Sequence, residues 1–296
     1  MSQCWSIVQF VAAGGEPRVG ILADGRLRVL PADWPRTALD LYQAWAEWAP
    51  RLRALDVDAL EEVFAARLAP PITYPRKVLC AGANYYDHAA EMGATRPDPA
   101  AEPFFFLKPP TTAIVGPGDT VVVPRADTAG LDWEVELAVV IGVRARDVDA
   151  ADAGRIIAGY TVANDISARA RFARSDAVHP PFAWDWLAHK AFDGSCPLGP
   201  GVVPEWQLPD PHDLRLRLQV NGVTKQDSST RELVVGIGGL IAAASRHVTL
   251  EPGDVILTGT PAGVGMPKGD FLRPGDTVVA EIDGIGRLEN TIASAP

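Results

Sequence analysis

The chain has 296 residues and a formal net charge of -10 at pH 7, from 27 Lys and Arg against 37 Asp and Glu. The charges gather into no basic patch and no acidic tail, so nucleic acid and membrane surfaces are not expected as partners. The sequence shows neither a secretory signal pattern nor an apolar run of roughly 20 residues, the length that a membrane helix needs. Its three cysteines form no CxxC pair, which favours a cytoplasmic protein over a disulfide framework or a zinc site.

The N-terminal part of the chain shows two patterns. Short apolar runs at residues 5–11, 19–22 and 27–30 are separated by Gly and Asp, which predicts a small β meander. Residues 38–68 then alternate apolar and charged side chains at helical spacing, with a break predicted at Pro50.

Prolines at positions 70, 71 and 75 separate this part from the rest of the chain. They predict a small β-rich N-terminal domain over residues 1–75 and a catalytic domain over residues 76–296.

From Lys77 onward, short apolar runs alternate with Pro and Gly. Strands are predicted at residues 78–81, 104–107, 120–123, 133–143, 160–164, 214–220, 255–257 and 277–282. Type I′ hairpin turns are predicted at Asn221-Gly222 and Asp283-Gly284. Helical patterns are fewer, at residues 149–158 and 230–245. Because strands and helices do not alternate regularly, the sequence predicts an α+β fold that is mainly β.

Two glutamates stand two residues apart in an apolar strand pattern. Glu134 and Glu136 share one strand face, where such residues lie roughly 6.5 to 7 Å apart. A Glu-x-Glu pair is also common on a solvated strand face, but Ala138 and Val140 continue this face and predict burial on both sides. Two buried carboxylates this close can converge on a hard divalent cation, which takes oxygen ligands and relieves their repulsion.

A third acid, Asp165, ends the strand predicted at residues 160–164. Its position is typical of a helix N-cap, with a helix starting at Ile166. A carboxylate has two oxygens, so a capping residue can also be a metal ligand.

His88 and Glu91 lie in residues 84–93, which are predicted to form a short helix capped by Asn84 and ended by Gly93. Three residues apart, the two side chains meet on one helix face. They form either a surface ion pair or a general base, in which the glutamate orients and polarises the imidazole. The sequence has no HExxH motif, which disfavours a zinc hydrolase.

Two further segments contain candidate site residues. Lys190 lies in an apolar stretch, although a single lysine is more often exposed to solvent. Residues 257–265 end a predicted strand and enter a glycine-rich turn, whose amides and hydroxyls suit a carboxylate. The turn lacks the GKS or GKT ending of a phosphate loop.

In combination, these segments resemble the fumarylacetoacetate hydrolase family over residues 77–291. The motifs that carry the resemblance are, in chain order, Gly82-Ala83-Asn84-Tyr85 with His88 and Glu91, Phe106-Leu107-Lys108-Pro109, Glu134-Val135-Glu136-Leu137, Asn164-Asp165-Ile166-Ser167-Ala168-Arg169, Lys190-Ala191-Phe192-Asp193, Pro197-Leu198-Gly199-Pro200 and Leu257-Thr258-Gly259-Thr260-Pro261-Ala262-Gly263-Val264-Gly265. In this order the motifs are highly specific, although each alone is weak. The resemblance implies a mixed β-roll or barrel with few flanking helices, a homodimer, and a small oxo acid as substrate.

The resemblance also implies roles for individual residues. It places Mg²⁺ or Mn²⁺ on Glu134, Glu136 and Asp165. The implied catalytic residues are His88, Glu91, Lys190 and Arg169, and the implied substrate contacts are Thr260, Gly259, Tyr85 and Phe172. In the implied mechanism, the histidine activates a water, the lysine stabilises negative charge or returns a proton, and the arginine orients the substrate or a neighbouring acid.

One position departs from the family pattern. Many relatives carry Gln three residues beyond the arginine of the Asn-Asp-Ile-Ser-Ala-Arg motif, where this chain has Phe172. Trp184 and Trp186 follow in what is predicted to be a long aromatic loop over residues 172–187. These aromatics favour equally an apolar acyl group on the substrate and packing within the loop or at a dimer contact.

The expected activity is hydrolysis of a C–C bond in a 2,4-dioxo acid, an acylpyruvate or fumarylpyruvate-like molecule, giving pyruvate and a carboxylic acid. The same site also suits an isomerase or decarboxylase of a 2-oxo or 2-hydroxymuconate-type diacid in aromatic catabolism, where no water attacks. A non-catalytic protein that binds a metal or anion is the third interpretation, and the complete set of polar side chains disfavours it.

Overall fold

A computed structural model describes residues 4–123 and 130–294 of the chain. The strands are β1 (Trp5–Ala12), β2 (Arg18–Ala23), β3 (Arg26–Val29), β4 (Ala66–Ala69), β5 (Val78–Gly82), β6 (Phe104–Lys108), β7 (Ile114–Val115), β8 (Thr120–Val123), β9 (Leu131–Asp132), β10 (Val135–Ile141), β11 (Ile157–Asn164), β12 (Ser167–Ala168), β13 (Cys196–Pro204), β14 (Arg215–Val220), β15 (Val223–Ser229), β16 (Val255–Leu257), β17 (Thr277–Ile282) and β18 (Gly286–Ser294). The α-helices are α1 (Ala38–Gln43), α2 (Trp45–Arg53), α3 (Tyr86–Glu91), α4 (Trp186–Lys190) and α5 (Ile237–His247). Within these ranges, none of the helices has the length and apolar character needed to cross a membrane.

The strands form two main mixed sheets. The larger has the order β3-β2-β1-β13-β11-β10-β16-β5-β6, with β4 added to β1 and β7 to β13. The smaller has the order β15-β14-β17-β18-β8. The predicted α+β fold that is mainly β is confirmed, and its sheets stay open and do not close into a barrel.

Strand β10 lies in the middle of the larger sheet and is buried along its whole length. Its side chains alternate between two hydrophobic clusters. Leu137 and Val139 pack in one cluster, and Ala138 and Val140 pack in the other. The predicted burial of both strand faces is confirmed.

The N-terminal residues share this sheet and this core. β1 pairs with β13 through Ile7 and Val202, and both side chains are fully buried. They belong to the same hydrophobic cluster as Ala138 and Val140 of β10. The domain boundary predicted near residue 75 therefore lies between two segments that contribute to a common core.

Helices were predicted less accurately than strands. Helix α2 ends at Arg53 and contains Pro50, and the break between the first two helices lies at Ala44. The helix predicted at residues 149–158 is wrong, because only a 3-10 turn forms at Ala153–Ile156 before β11 begins. β11 pairs with both β10 and β13, and this tertiary pairing outweighs a helical spacing of apolar residues.

The two predicted hairpin turns differ in outcome. Asn221 and Gly222 have φ angles of 51° and 77°, as a type I′ turn requires. The type I′ prediction at Asp283-Gly284 is wrong, because three residues, 283–285, join β17 to β18 and only Gly284 among them has a positive φ, at 77°. The additional residue, Ile285, is buried and anchors this turn to the core.

A substitution in an N-terminal strand tests whether residues on both sides of the predicted boundary pack in one core. Replacing Ile7 with Ala should lower the free energy of unfolding by about 2–4 kcal/mol, since the cavity forms between β1 and β13. Urea denaturation measures the change. Val223→Ala is the control, because Val223 is 58% exposed on β15, and a loss below about 1 kcal/mol for the buried variant would contradict the shared core.

Candidate active site

A cavity of about 450 Å³ collects most of the predicted site residues. Its polar lining consists of His88, Glu134, Glu136, Asp165, Arg169, His189, Lys190 and Thr260. Its apolar lining consists of Ala81, Gly82, Ala83, Met92, Phe104, Phe106, Phe172, Trp186 and Met266.

The three predicted metal ligands converge at the adjacent ends of β10 and β11. One carboxylate oxygen each from Glu134, Glu136 and Asp165 lies within 4.8 Å of the other two. The strand ends are held together because the Glu134 N–H donates to the Asn164 side chain at 2.9 Å and the Asp165 N–H donates to the Glu134 carbonyl at 2.9 Å. Antiparallel pairing therefore brings together acids that are about thirty residues apart in sequence.

Asp165 is not a helix N-cap. The residues after it form β12, which pairs with β9 through Ser167 and Asp132. The predicted helix at Ile166 is wrong because this backbone is hydrogen-bonded to a strand more than thirty residues earlier. The carboxylate of Asp165 is thereby left for the acidic cluster.

Lys190 neutralises two of the three acids. Its Nζ donates to Glu134 Oε2 and to Asp165 Oδ2, both at 2.7 Å. Burial acts to lower the pKa of Lys190, but the charges of Asp165 and Glu134 outweigh it and raise that pKa above its ordinary value. The side chain is therefore a buried ammonium group, not the solvent-exposed lysine that a single lysine more often is.

Arg169 binds an acid of the cluster. Its Nη2 donates to Glu134 Oε1 at 2.6 Å, and its Nε donates to Asp132 Oδ2 at 2.8 Å. Burial acts to raise the pKa of Glu134, but the charges of Lys190 and Arg169 hold it well below its usual value. Of the two alternatives for this arginine, these contacts favour the orientation of a neighbouring acid.

Glu136 has a different environment from the other two acids. Its hydrogen-bond donor is the Gly259 N–H, at 2.6 Å, and within the described ranges no cationic side chain forms an ion pair with it. Burial, followed by the charges of Asp165 and Glu134, raises the pKa of Glu136 well above its ordinary value. The cluster is therefore short of positive charge at this carboxylate, and a hard cation with oxygen ligands fits there.

The His88–Glu91 pair is largely shielded from solvent and lies beside the same cavity. His88 Nδ1 is 3.1 Å from Glu91 Oε2, and the side chains are only 9% and 16% exposed, which rules out the surface ion pair. Glu91 Oε1 accepts the Gly263 N–H at 2.9 Å. Both carboxylate oxygens of Glu91 are thus held by hydrogen bonds. Nε2 of His88 has no hydrogen-bond partner in the described chain, so it is available to a molecule in the cavity.

Helix α3, which carries this pair, begins differently from the prediction. Tyr85 occupies the N-cap position, whereas the Asn84 side chain donates to the carbonyls of Val235 and Thr258. The predicted cap at Asn84 is therefore wrong, because this amide joins two distant loops. Gly93, with φ of 69°, follows the helix end as predicted.

The structure places two of the four predicted substrate contacts in the cavity lining. Phe172 and Thr260 line the cavity, whereas Tyr85 is fully buried in the hydrophobic core. The Thr260 hydroxyl donates to the Val135 carbonyl at 2.9 Å, and the Gly259 N–H donates to Glu136. The hydroxyl and amide expected to receive a substrate carboxylate are therefore already used within the protein.

The predicted aromatic loop is more ordered than its sequence indicated. It contains a 3-10 turn at Pro180–Ala183, and α4 begins at Trp186 with Asp185 as its N-cap. Phe172 packs against Trp184, with ring centroids 4.7 Å apart, and against Trp186, at 5.2 Å. The aromatic residues thus surround the start of the helix that carries Lys190.

Sequence reasoning missed two buried charged residues. Lys108 lies 2.7 Å from Asp165 Oδ1 and donates to the carbonyls of Ile166 and Ser195. Asp132 accepts hydrogen bonds from Arg169 and from the Gly265 and Met266 amides. Lys108 belongs to one of the family motifs and could have been identified from it, whereas the partners of Asp132 come from distant segments and leave no local signal.

Comparison with known proteins places this site in a family context. The family model described as fumarylacetoacetate (FAA) hydrolase C-terminal matches residues 77–293. A Homo sapiens protein named as a mitochondrial oxaloacetate tautomerase is 44% identical over 224 residues, covering 75% of this chain and 68% of that protein.

Two similar solved structures are of proteins named for different activities. A maleylpyruvate hydrolase from Sphingobium, in complex with manganese(II) and pyruvate, is 28% identical with a TM-score of 0.76, covering 98% of this chain and 100% of that one. A 5-carboxymethyl-2-hydroxymuconate delta-isomerase from Mycobacterium smegmatis is 35% identical with a TM-score of 0.74, covering 98% and 99%. The relatives therefore include a tautomerase, a hydrolase and an isomerase.

The buried ammonium of Lys108 provides a test of the charge balance. Lys108→Met should lower the free energy of unfolding by about 3–5 kcal/mol, because it leaves buried carbonyls without their donor and the Asp165 carboxylate without one of its ion-pair partners. Chemical denaturation measures this loss. Lys268→Met is the matched control at an exposed lysine, and equal stability of the two variants would contradict the role given to Lys108.

Proposed function

Because the chain belongs to the fumarylacetoacetate hydrolase family, we propose that it is a metal-dependent hydrolase that cleaves a C–C bond of a 2,4-dioxo acid. The products are pyruvate and a carboxylic acid. The observation that carries this proposal is the largely shielded His88–Glu91 pair beside the cavity that holds the carboxylate cluster. Hydrolysis needs an activated water, whereas isomerisation and decarboxylation do not.

We assign Mg²⁺ or Mn²⁺ to Glu134, Glu136 and Asp165. Three buried carboxylates with oxygens within 4.8 Å, and the charge deficit at Glu136, support a hard cation. The manganese(II) ion in the maleylpyruvate hydrolase complex supports it as well. When bound, the ion supplies Lewis-acid polarisation of the substrate's 2-oxo acid group.

His88 is the general base of the proposed mechanism. Its Nδ1–H donates to Glu91, so Nε2 is the basic nitrogen and takes a proton from water. The water oxygen adds to the C4 carbonyl, the C3–C4 bond breaks, and its electron pair passes to the three-carbon fragment. Protonation of that fragment at C3 gives pyruvate.

Lys190 acts through its positive charge. Since its pKa is raised by the neighbouring acids, it stays protonated at neutral pH and does not act as a base. Its ammonium lines the cavity and offers an electrostatic partner or a proton donor to negative charge that develops on the substrate. Arg169 contributes indirectly, because it fixes the carboxylate of Glu134.

Tautomerisation or isomerisation of a 2-oxo diacid is the second candidate function. The 44% identity with the human oxaloacetate tautomerase favours it. In this case the same pair carries a proton between carbon and oxygen, and no water attacks. The complete set of His88, Glu91, the three carboxylates and Lys190 continues to disfavour a protein that only binds an anion.

Glu136 tests the metal assignment. Glu136→Gln keeps the side-chain size and an oxygen that accepts the Gly259 N–H, but removes the charge. Mn²⁺ affinity in titration calorimetry should fall at least about 100-fold, since loss of a direct ligand exceeds the 10- to 100-fold effect of outer partners. Glu289→Gln, at an exposed ion pair on β18, is the control. An unchanged Mn²⁺ affinity in Glu136→Gln would refute this ligand.

His88 separates the two candidate functions. His88→Ala should slow C–C cleavage of an acylpyruvate by about 10²- to 10⁴-fold, as expected for a lost general base, while Mn²⁺ and oxalate still bind. Glu91→Gln should slow it less, because the imidazole remains. Pyruvate release measures the rate. His212→Ala is the control, because this histidine is half-exposed and does not line the cavity. Cleavage at the wild-type rate by His88→Ala would refute His88 as the general base, and a wild-type protein that releases no pyruvate would favour the isomerase.

A further inference from the structure

The proposed chemistry leaves the aromatic lining of the cavity without a role. Four aromatic side chains line it, and Trp186 joins the other three. Its ring centroid lies 5.0 Å from Phe104, 5.1 Å from Phe106 and 5.2 Å from Phe172. Phe172 and Trp186 are only partly buried, so their rings retain surface that a bound molecule can cover.

This aromatic surface begins directly beside the charged part of the site. Lys190 Nζ lies 5.3 Å from the centroid of Phe106, and the same Nζ binds Glu134 and Asp165. If a cation on the carboxylate cluster holds a 2-oxo acid group there, the rest of the molecule would lie within reach of the aromatic rings. The cavity of about 450 Å³ has room for such an extension.

The cationic side chains of the cavity lining are already paired. Among the described lining residues, the permanent cations are Arg169 and Lys190, and both are bound to acids of the protein. His189 donates its Nδ1–H to the Ala168 carbonyl, and burial lowers its pKa to about 4, so it is neutral. A second carboxylate on the substrate would meet aromatic ring faces, which carry partial negative charge, and its desolvation would not be compensated.

We propose that the preferred substrates are monocarboxylic 2,4-dioxo acids with an apolar acyl group, and that Phe172 and Trp186 determine this specificity. The inference rests on the proposed C–C hydrolysis for its reaction, but its molecular basis is the lining of the cavity. Dicarboxylic analogues of the same length are the disfavoured class.

A matched pair of substrates tests the proposal. With Mn²⁺ present, 2,4-dioxooctanoate should be cleaved with a kcat/KM about 10- to 100-fold higher than that of 2,4-dioxooctanedioate, which differs by the terminal carboxylate. In parallel, calorimetry compares the affinities of 2-oxooctanoate and 2-oxooctanedioate, which lack the second carbonyl and are not cleaved. The monoacid should bind more tightly by a similar factor.

A substitution in the aromatic lining tests whether Phe172 contributes to the preference for the monoacid. Phe172→Arg supplies a cation and should reduce the preference for the monoacid at least about 10-fold in both assays. Phe182→Arg introduces the same charge in the same loop, at a side chain that is 64% exposed and outside the cavity lining, and should leave the preference unchanged. An equal effect of both variants would remove Phe172 as the determinant.

The two measurements also separate this proposal from the proposed hydrolysis. If neither dioxo acid is cleaved but the monoacid still binds more tightly, hydrolysis fails and the specificity stands. If the wild-type protein binds both acids equally, or prefers the diacid, the specificity is refuted whether or not cleavage occurs.

Discussion

Repulsion among three buried carboxylates is the constraint on which the rest of the site depends. Glu134, Glu136 and Asp165 are at most 5% exposed, and the pairing of β10 with β11 prevents them from separating. Unpaired buried charges are strongly unfavourable, so the fold surrounds the cluster with cations and hydrogen-bond donors. Lys190 and Lys108 neutralise two of the acids, and among the described residues Glu136 receives only a backbone amide. The carboxylate without an ion-pair partner is therefore Glu136, and a hard cation with oxygen ligands fits there.

The helix that carries the ammonium group neutralising the cluster also carries part of the aromatic lining. Helix α4 spans only Trp186–Lys190, and it carries the central ring of the aromatic lining at its first residue and the ammonium at its last. Asp185 caps the helix through the Ala188 N–H at 2.9 Å, which fixes both side chains relative to the backbone. An aromatic surface next to the cluster also lowers the local polarity, and this strengthens the electrostatic interactions within it. Polar and apolar parts of the cavity are thus positioned by one short element.

The sequence predicted the structural features that depend on local patterns. It failed for features that depend on contacts with residues distant in the chain. The burial of β10 follows from the alternation around Glu134 and Glu136, and the turn at Asn221-Gly222 follows from residues that tolerate positive φ. Motif order also identified the residues that meet in the cavity. In contrast, the capping role predicted for Asp165 is wrong because β12, which follows it, pairs with β9 far upstream. The buried position of Lys108 likewise depends on carbonyl groups of residues 166, 190 and 195. Local periodicity contains no information about such contacts.

The glycine-rich turn at residues 257–265 binds two carboxylates that have different roles in the proposed reaction. The sequence favoured this turn as a receptor for a substrate carboxylate, but its amides bind carboxylates of the protein: Gly259 holds Glu136 and Gly263 holds Glu91. Both glycines have positive φ, at 99° and 102°, and a Cβ at Gly263 would lie 2.2 Å from the Lys225 carbonyl. Side chains larger than hydrogen are therefore excluded from both positions. Because one turn donates to both Glu136, which lacks a cationic partner, and Glu91, which pairs with His88, its backbone restricts how far apart these two carboxylates can lie.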